Sequence, residues 1–420
     1  MQFDFKNVEK RTASILEKAL LGDEVSVQEG THLLSADGRE LTAIAQVADH
    51  LRQVAHGLNT SFVVTRNINF TNVCHMGCRF CGFARDKDSE DAELLSMETI
   101  AQRAMEAWQR GATEVCIQGG LHPNISPDHY RNIILAIKKS VPDIHIHAFS
   151  PFEILYGSRM NRLSYTDFLQ DLKECGLGSI PGTAAEILDS DIRKVLTKDK
   201  LSATAWVEIV KATHKVGLRS TATMMYGHID EPHHWANHMA LLRDIQKETG
   251  GFTEFVPLGF VYHDSPLYVK SKQFTQKVVR PGPSRRENIA VHAVARIMLQ
   301  GYVGNIQVSW TKLGPRFAQE AQHFGVNDLG GTLMNESISR ASGAQYGQEI
   351  TATEMQGIIR QAGFQPIQRN TLYQTLDSYL GDEASSPPRD IVASQNILVS
   401  DETLVPRTAW QSQHIAALEL

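Results

Sequence analysis

The chain repeats one local pattern: a short run rich in β-branched or alternating residues, a turn, and then a stretch with helical periodicity. The first run is "SFVVTRNINF", 61–70, and a helix-period stretch follows from about Ser96, with Met97, Ala101, Ala104, Met105 and Trp108 on one face. Further strand candidates are "TEVCIQGG" (113–120), "DIHIHAFS" (143–150), "LGSI" (177–180), "LRSTATMMYG" (218–227), "TEFVPLGF" (253–260), "NIQVSW" (305–310) and "NDLGGTL" (327–333). Helical patterns over 127–140, 163–175, 186–196, 202–216, 232–249, 286–300 and 314–324 stand between them. Alternation of this kind is satisfied by a parallel sheet with crossover helices. Eight strands separated by helices predict an α/β fold, a (β/α)8 TIM-type barrel, with chemistry at the C-terminal ends of its strands.

The flanks differ from this pattern. Residues 1–58 carry helical patterns such as "LTAIAQVADHLRQVAHG" and predict an N-terminal helical cap. The barrel is assigned to 59–335, and a C-terminal segment over 336–380 holds a helix near 351–363 and a strand near 366–372. The cap and the C-terminal segment are expected to close the barrel mouth. After "LGDEASSPPRD" the composition turns polar, so 381–420 reads as a linker and tail with one short helix in "AWQSQHIAAL". No run of eighteen apolar residues is present, and the N-terminus lacks a basic start followed by an apolar core. A net charge of −6 gives no reason to expect a nucleic-acid or membrane partner. The expected setting is the reducing cytoplasm.

Three of the five cysteines, Cys74, Cys78 and Cys81, fall within "NVCHMGCRFCGFAR". Three thiols cannot all pair among themselves, and an odd total argues against a disulfide framework. A structural zinc site wants four ligands, usually as two pairs, and His75 follows Cys74 too directly to complete a tetrahedron. Cys116 and Cys175 have no metal-binding spacing and read as buried small hydrophobes. A ferredoxin-type carrier would want a fourth cysteine. What remains is a cubane of four irons held by three thiolates, with one iron left open for a cosubstrate.

The C-x3-C-x2-C spacing, with Phe80 before the last cysteine and Gly77 and Gly82 allowing a tight loop, resembles the cluster motif of the radical S-adenosylmethionine (SAM) enzymes. The resemblance implies a [4Fe-4S] cluster whose open iron chelates SAM, reductive cleavage of SAM, and hydrogen abstraction from a substrate by the 5′-deoxyadenosyl radical. It also implies that Phe80 packs on the adenine side, with core packing as the alternative. Gln118-Gly119-Gly120 resembles the glycine motif whose backbone meets the SAM amino group; such pairs are also common turns. Glu186, in "PGTAAEIL", is either an acceptor for the ribose hydroxyls or the SAM ammonium, or a helix-start carboxylate. The arginine that some relatives carry about twenty residues later is absent from "SATAWVEIV", which leaves the partner of the SAM carboxylate open.

The fuller strings "HAFSPFEI", "PGTAAEIL", "FVPLGFVYHDSPL" and "GGTLMNESISRASGA" resemble the CofH family over roughly residues 10–375. That resemblance implies a transferase that cleaves L-tyrosine between Cα and Cβ. It implies delivery of the 4-hydroxybenzyl fragment to 5-amino-6-(D-ribitylamino)uracil, in the synthesis of the deazaflavin FO. Implied partners are a second radical SAM component that closes the deazaflavin ring and a reductant such as ferredoxin or flavodoxin. A futalosine-pathway radical SAM enzyme and a non-catalytic iron–sulfur electron-transfer or sensing protein are the alternatives. Substrate candidates on the rim are Tyr226 and His228, Tyr262 and His263, and Asn335, with Ser150, Pro151, Glu153, Asp264 and Glu336 beside them.

Overall fold

A computed structural model describes residue 3 and residues 5–197 and 201–379. The expected tail over 381–420, with its short helix, lies outside the described residues. The chain opens with helices α1 (Lys10–Leu20), α2 (Val27–Leu34) and α3 (Gly38–His56) and enters strands β1 (Asn59–Val63) and β2 (Thr65–Ile68). Then come α4 (Met97–Gln109), β3 (Glu114–Ile117), α5 (His129–Ser140), β4 (His145–Ala148), α6 (Pro151–Asn161), α7 (Tyr165–Glu174) and β5 (Ser179–Ile180). Next are α8 (Ser190–Leu196), α9 (Ala203–Lys215), β6 (Arg219–Tyr226), α10 (Pro232–Thr249), β7 (Phe252–Gly259), α11 (Pro266–Val269) and α12 (Arg285–Leu299). The last elements are α13 (Trp310–Leu313), α14 (Pro315–Ala321), β8 (Asp328–Gly331), α15 (Ile338–Ala341), α16 (Ala352–Gln361), β9 (Gln365–Arg369) and β10 (Thr375–Ser378).

The strands form the expected TIM-type ring. Strands β2 to β7 pair side by side in chain order, all parallel. Isolated parallel bridges Phe255↔Ile306 and Gln307↔Asp328 carry the ring on to β8, which pairs with β1. Two strands differ from expectation. The run 61–70 breaks at Val64 into β1 and β2, because β9 occupies the edge of β1 below the point where β3 begins. The run 305–310 is reduced to bridges: Gln307 N–H donates to Phe255 and Val308 N–H to Asp328, and Trp310 already starts α13.

The unanticipated α6 has a readable start. Ser150 caps it, Pro151 sits in its first turn, and the Glu153 carboxylate accepts from the Ser150 backbone, completing a capping box. The N-terminal helices pack on the outer layer, α2 against α10 and α12 and α3 against α12. They cover the flank and the floor and not the mouth. The physical reason is connectivity: α3 feeds straight into β1, so its C-terminal end must lie where the strands begin. There the His56 ring meets the Gly304 carbonyl at 2.8 Å and Gln365 N–H donates to Leu58.

The C-terminal segment divides between the two ends. At the floor, Arg369 of β9 donates to Asp328 (2.5 and 2.9 Å) and to Glu254 (3.2 Å), and Tyr373 donates its hydroxyl to Glu254. Glu114 accepts from Thr65 (2.9 Å) and Thr371 (2.5 Å). Burial and the neighbouring Asp328 push the Glu254 carboxyl up to about 7, against the pull of Arg369. At the mouth, the segment around α15 lies against the loop of cysteines, where Gly82 N–H donates to Ser342 Oγ at 3.3 Å.

The Arg369 cluster makes a stability prediction. Arg369→Met leaves two buried carboxylates facing one another and should destabilise the protein by about 3–5 kcal/mol at pH 8. A carboxyl whose folded pKa lies above its unfolded value loses stability as pH rises through that interval. Urea unfolding of the variant should therefore show a smaller deficit at pH 5, where Glu254 holds a proton.

Candidate active site

The barrel is hollow. The interior of such a barrel is ordinarily filled by layers of bulky branched side chains. Here the inward positions Asn67, Cys116, Thr223, Ser309 and Gly331 are small or slender, and a cavity of about 420 Å³ runs among them. It reaches from Cys74, Cys78 and Cys81 at the mouth to Glu114, Glu254, Arg369 and Thr371 at the floor.

The cysteine loop is held in place by its backbone. Cys74 N–H donates to Arg85 O (3.0 Å), His75 N–H to Leu121 O (3.2 Å) and Arg79 N–H to Leu196 O (2.9 Å). The Arg85 guanidinium fills the loop, donating to the carbonyls of Gly82, Phe83 and Ala84. His75 points its Nδ1 at Leu121 O (2.6 Å). All three cysteines are half-buried and outside any disulfide. Among the described residues no three His, Cys, Asp or Glu side chains are grouped as for a single ion. Three thiols opening from one loop onto a common cavity suit a cluster of several irons, where each thiolate takes its own iron.

Two glycines let neighbouring segments close on this loop. A Cβ at Gly120 would strike the Val73 carbonyl and lie 2.9 Å from Cys74 Cβ. A Cβ at Gly82 would lie 2.9 Å from Ser342 Cα. Gly120 is therefore required by the approach of the cysteine loop itself, in addition to any approach of a ligand.

The structure gathers Phe80, Gln118, Gly119, Gly120 and Glu186 around the mouth of this one cavity. Gly119 N–H donates to Glu153 Oε1 (3.1 Å), and Gln118 Oε1 accepts from Thr183 (2.8 Å). Glu186 sits with φ of 41° just past β5, and Arg193, seven residues on, reaches its carboxylate at 3.4 Å. Arg193 also donates to the carbonyls of Ala184, Ala185, Ile187 and Leu201, so it braces the loop. Backbone strain collects at this end of the barrel: Phe149, Ala184, Glu186, Leu333, Met334 and Asn335 all have positive φ and all follow strand ends.

None of the five rim candidates lines the cavity. Along β6 the inward residues are Thr221, Thr223 and Met225, so Tyr226 faces the helix layer, where its hydroxyl donates to Asn288 (2.7 Å) and its ring meets Trp235. His228 is fully buried outside the cavity; Ile229 N–H donates to its Nδ1, and burial lowers its pKa. Tyr262 and His263 stack on each other beyond the rim, and Phe260 and Val261 line the cavity in their place. Asn335 makes the turn that lets Glu336 face inward. Glu153 and Glu336 do line the cavity; Glu336 accepts from Ser339 N–H with both oxygens (3.0 Å each). Sequence reading missed Asn67, Thr183, Lys312 and the floor residues. Counting back by twos from Gln118 reaches Cys116 and Glu114, a signal that strand alternation offered.

The pattern of the radical SAM superfamily matches residues 68–242, and that of the CofH/MqnC C-terminal region matches residues 249–380. A protein of Methanopyrus kandleri, 5-amino-6-(D-ribitylamino)uracil–L-tyrosine 4-hydroxyphenyl transferase, is 47% identical over 354 residues, covering 84% of this chain and 94% of its own. The chain belongs to the CofH/MqnC group of the radical SAM superfamily. An FO synthase of Mycobacterium tuberculosis is 52% identical over 344 residues, 82% of this chain, and this chain spans 40% of that protein's length. The hydrogenase maturase HydG of Carboxydothermus hydrogenoformans shares the fold, with a TM-score of 0.63 at 16% identity over 88% of this chain and 82% of that one. As a radical SAM protein the chain works with a [4Fe-4S] cluster and SAM. The three thiols on one loop, opening onto the cavity, fit the cluster, and the cavity-lining Gln118–Gly120 strand end beside them fits SAM.

Gly120→Ala separates a ligand-approach role from a loop-packing role. The added Cβ should displace the Val73–Cys74 backbone, so iron and sulfide retained after anaerobic reconstitution should fall together with SAM binding. Full iron content with weakened SAM binding alone would place the requirement on the ligand only.

Proposed function

We propose that this chain is a radical SAM transferase that cleaves L-tyrosine between Cα and Cβ and adds the 4-hydroxybenzyl fragment to 5-amino-6-(D-ribitylamino)uracil, in deazaflavin (FO) synthesis. The observation that carries the reading is the 47% identity to the Methanopyrus kandleri transferase over 94% of that protein. The identity to the FO synthases, which are longer chains, supports it.

In this reading Cys74, Cys78 and Cys81 hold the cluster. Gln118, Gly119 and Gly120 face SAM with backbone and side chain, Glu186 offers acceptors to its ribose or ammonium, and Phe80 packs beside the adenine. When bound, the cluster and SAM supply the 5′-deoxyadenosyl radical that takes a hydrogen atom from the tyrosine amino group. The protein's own part is positioning and exclusion. The walls bring two substrates together, and the segment around α15, seated on Gly82, keeps water from the mouth. Glu153 and Glu336 supply carboxylates near the mouth that suit an ammonium group. The tyrosine Cα–Cβ bond breaks, glyoxylate imine leaves, the 4-hydroxybenzyl radical bonds to a ring carbon of the uracil, and the adduct radical would then give up a proton and one electron, which the oxidised cluster can take back. A second radical SAM component takes the product on to ring closure, and ferredoxin or flavodoxin supplies the electron. Among the described residues no helix is long and apolar enough to cross a membrane; the setting we propose is the cytoplasm.

Anaerobic turnover of the reduced protein with SAM, tyrosine and the ribitylaminouracil should yield adduct, 5′-deoxyadenosine and glyoxylate together. Tyrosine without its α-amino group should not react. Turnover of a futalosine derivative in place of tyrosine would reassign the substrate.

The cluster assignment has its own check. Cys74→Ala, Cys78→Ala or Cys81→Ala should each abolish SAM cleavage and leave thermal unfolding of the metal-free protein little changed, because backbone hydrogen bonds hold the loop and an alanine keeps them. Full iron content in the triple variant would refute the ligand set.

A further inference from the structure

Among the described residues, one buried polar atom of the cavity-lining side chains is left without a partner. Asn67 lines the shaft, and its side-chain oxygen is buried and meets no donor among the described residues. Its polar neighbours are occupied. One inward position above, Asn69 donates to Gln118 O (3.1 Å) and accepts from Ser337 (2.7 Å). One inward position below, Thr65 donates to Glu114 (2.9 Å). Thr223 donates to Gly182 O (2.7 Å). Parallel register sets Asn67 beside Cys116 and Cys116 beside His147, so the orphaned amide lies in the middle of the shaft. It is deeper than the Gln118–Gly120 strand end and shallower than the floor. Burial pushes the Cys116 thiol up to about 12, so the neighbour presents no charge that would compete for a neutral ligand. A buried polar group without a partner is costly unless a ligand completes it.

Resting on the transferase reading above, we propose that Asn67, with its amide turned so that the oxygen faces the shaft, reads the pyrimidinedione ring of the ribitylaminouracil, accepting its N3–H and donating to the adjacent C2 carbonyl. A carboxamide carries an acceptor and a donor side by side, which is why Asn and Gln pair with nucleobase edges. The cis-amide edge of a pyrimidinedione matches that pair. A phenol or a polyol presents no such edge, and an amino acid's charged groups want charged partners. The orientation follows from the chemistry. The electron-rich ring carbons, which carry the two amino substituents, must meet the tyrosine-derived fragment at the cluster end. The opposite edge, C2 and N3, then points down the shaft to Asn67. The residue is a specificity determinant for the acceptor substrate, with no bond-making role.

The test is a ligand–variant cycle on the anaerobically reconstituted protein. Equilibrium dialysis measures binding of the ribitylaminouracil and of its N3-methyl analogue to the parent and to Asn67→Ala, with iron content and SAM binding checked in both. The parent should bind the N3-methyl analogue about ten- to a hundredfold more weakly than the natural compound. Asn67→Ala should show a similar loss for the natural compound and little further loss for the analogue. The KM for tyrosine should stay close to the parent's. Equal affinity of the parent for both compounds overturns the assignment without reference to any variant. Additive losses in the cycle, meaning that methyl group and substitution act independently, overturn it as well. A parent that turns over tyrosine and the uracil with either result keeps the transferase reading intact, whereas a parent that binds no uracil at all removes both.

Discussion

Everything that makes this barrel usable depends on the ion cluster at its floor. Arg369 arrives on β9, outside the ring, and is held by Asp328 of β8 and Glu254 of β7. Ion pairs of this kind are weak sources of net stability, because desolvation offsets most of the attraction. Their geometric demand is strict, however, and here it fixes the C-terminal segment against the start of the strands. With the floor closed by charged and hydroxyl groups, the middle of the shaft need not be filled. The hollow is then bounded by polar groups at one end and by the cysteine loop at the other.

The same arrangement explains the broken first strand. β1 gives its lower edge to β9, and β2 gives its upper edge to β3. The break at Val64 is the cost of letting a late segment share the first strand. It also sets Asn67 and Asn69 on the upper half, where their side chains enter the cavity and not the floor. The mouth is organised on similar lines. The strained turns after β4, β5 and β8 bring Glu153, Glu186 and Glu336 inward around one opening. The two matched sequence patterns meet across the cavity, one supplying the cluster loop and the Gln118 strand end, the other Glu254, Ser309, Glu336 and Arg369.

Part of this was legible in the residues alone. Eight strand–helix alternations, the three-cysteine spacing and the Gln118-Gly119-Gly120 turn are local signals. Each rests on backbone propensity or on ligand count within a few residues; the exceptions to the alternation are the run 61–70, broken at Val64, and the run 305–310, reduced to bridges. The start of α6 was equally local, since Ser150, Pro151 and Glu153 spell a cap.

The substrate-facing side chains were another matter. Tyr226, His228, Tyr262 and His263 follow strand ends just as Gln118 does, yet they turn to the helix layer or to the outer surface. Which side a residue takes depends on the phase of strand alternation and on whatever packs behind it, here Asn288, Trp235 and Phe260. The closing of the floor by Arg369 joins positions 115 and 41 residues apart, and no local pattern encodes such a pairing. The sequence by itself determined the ring of strands, the cysteine ligand set it offers and the backbone turn beside it, because those depend on neighbours along the chain. Only the tertiary structure decided which polar groups enter the cavity, which are already satisfied and which one is left open, because hydrogen-bond partners are chosen in space.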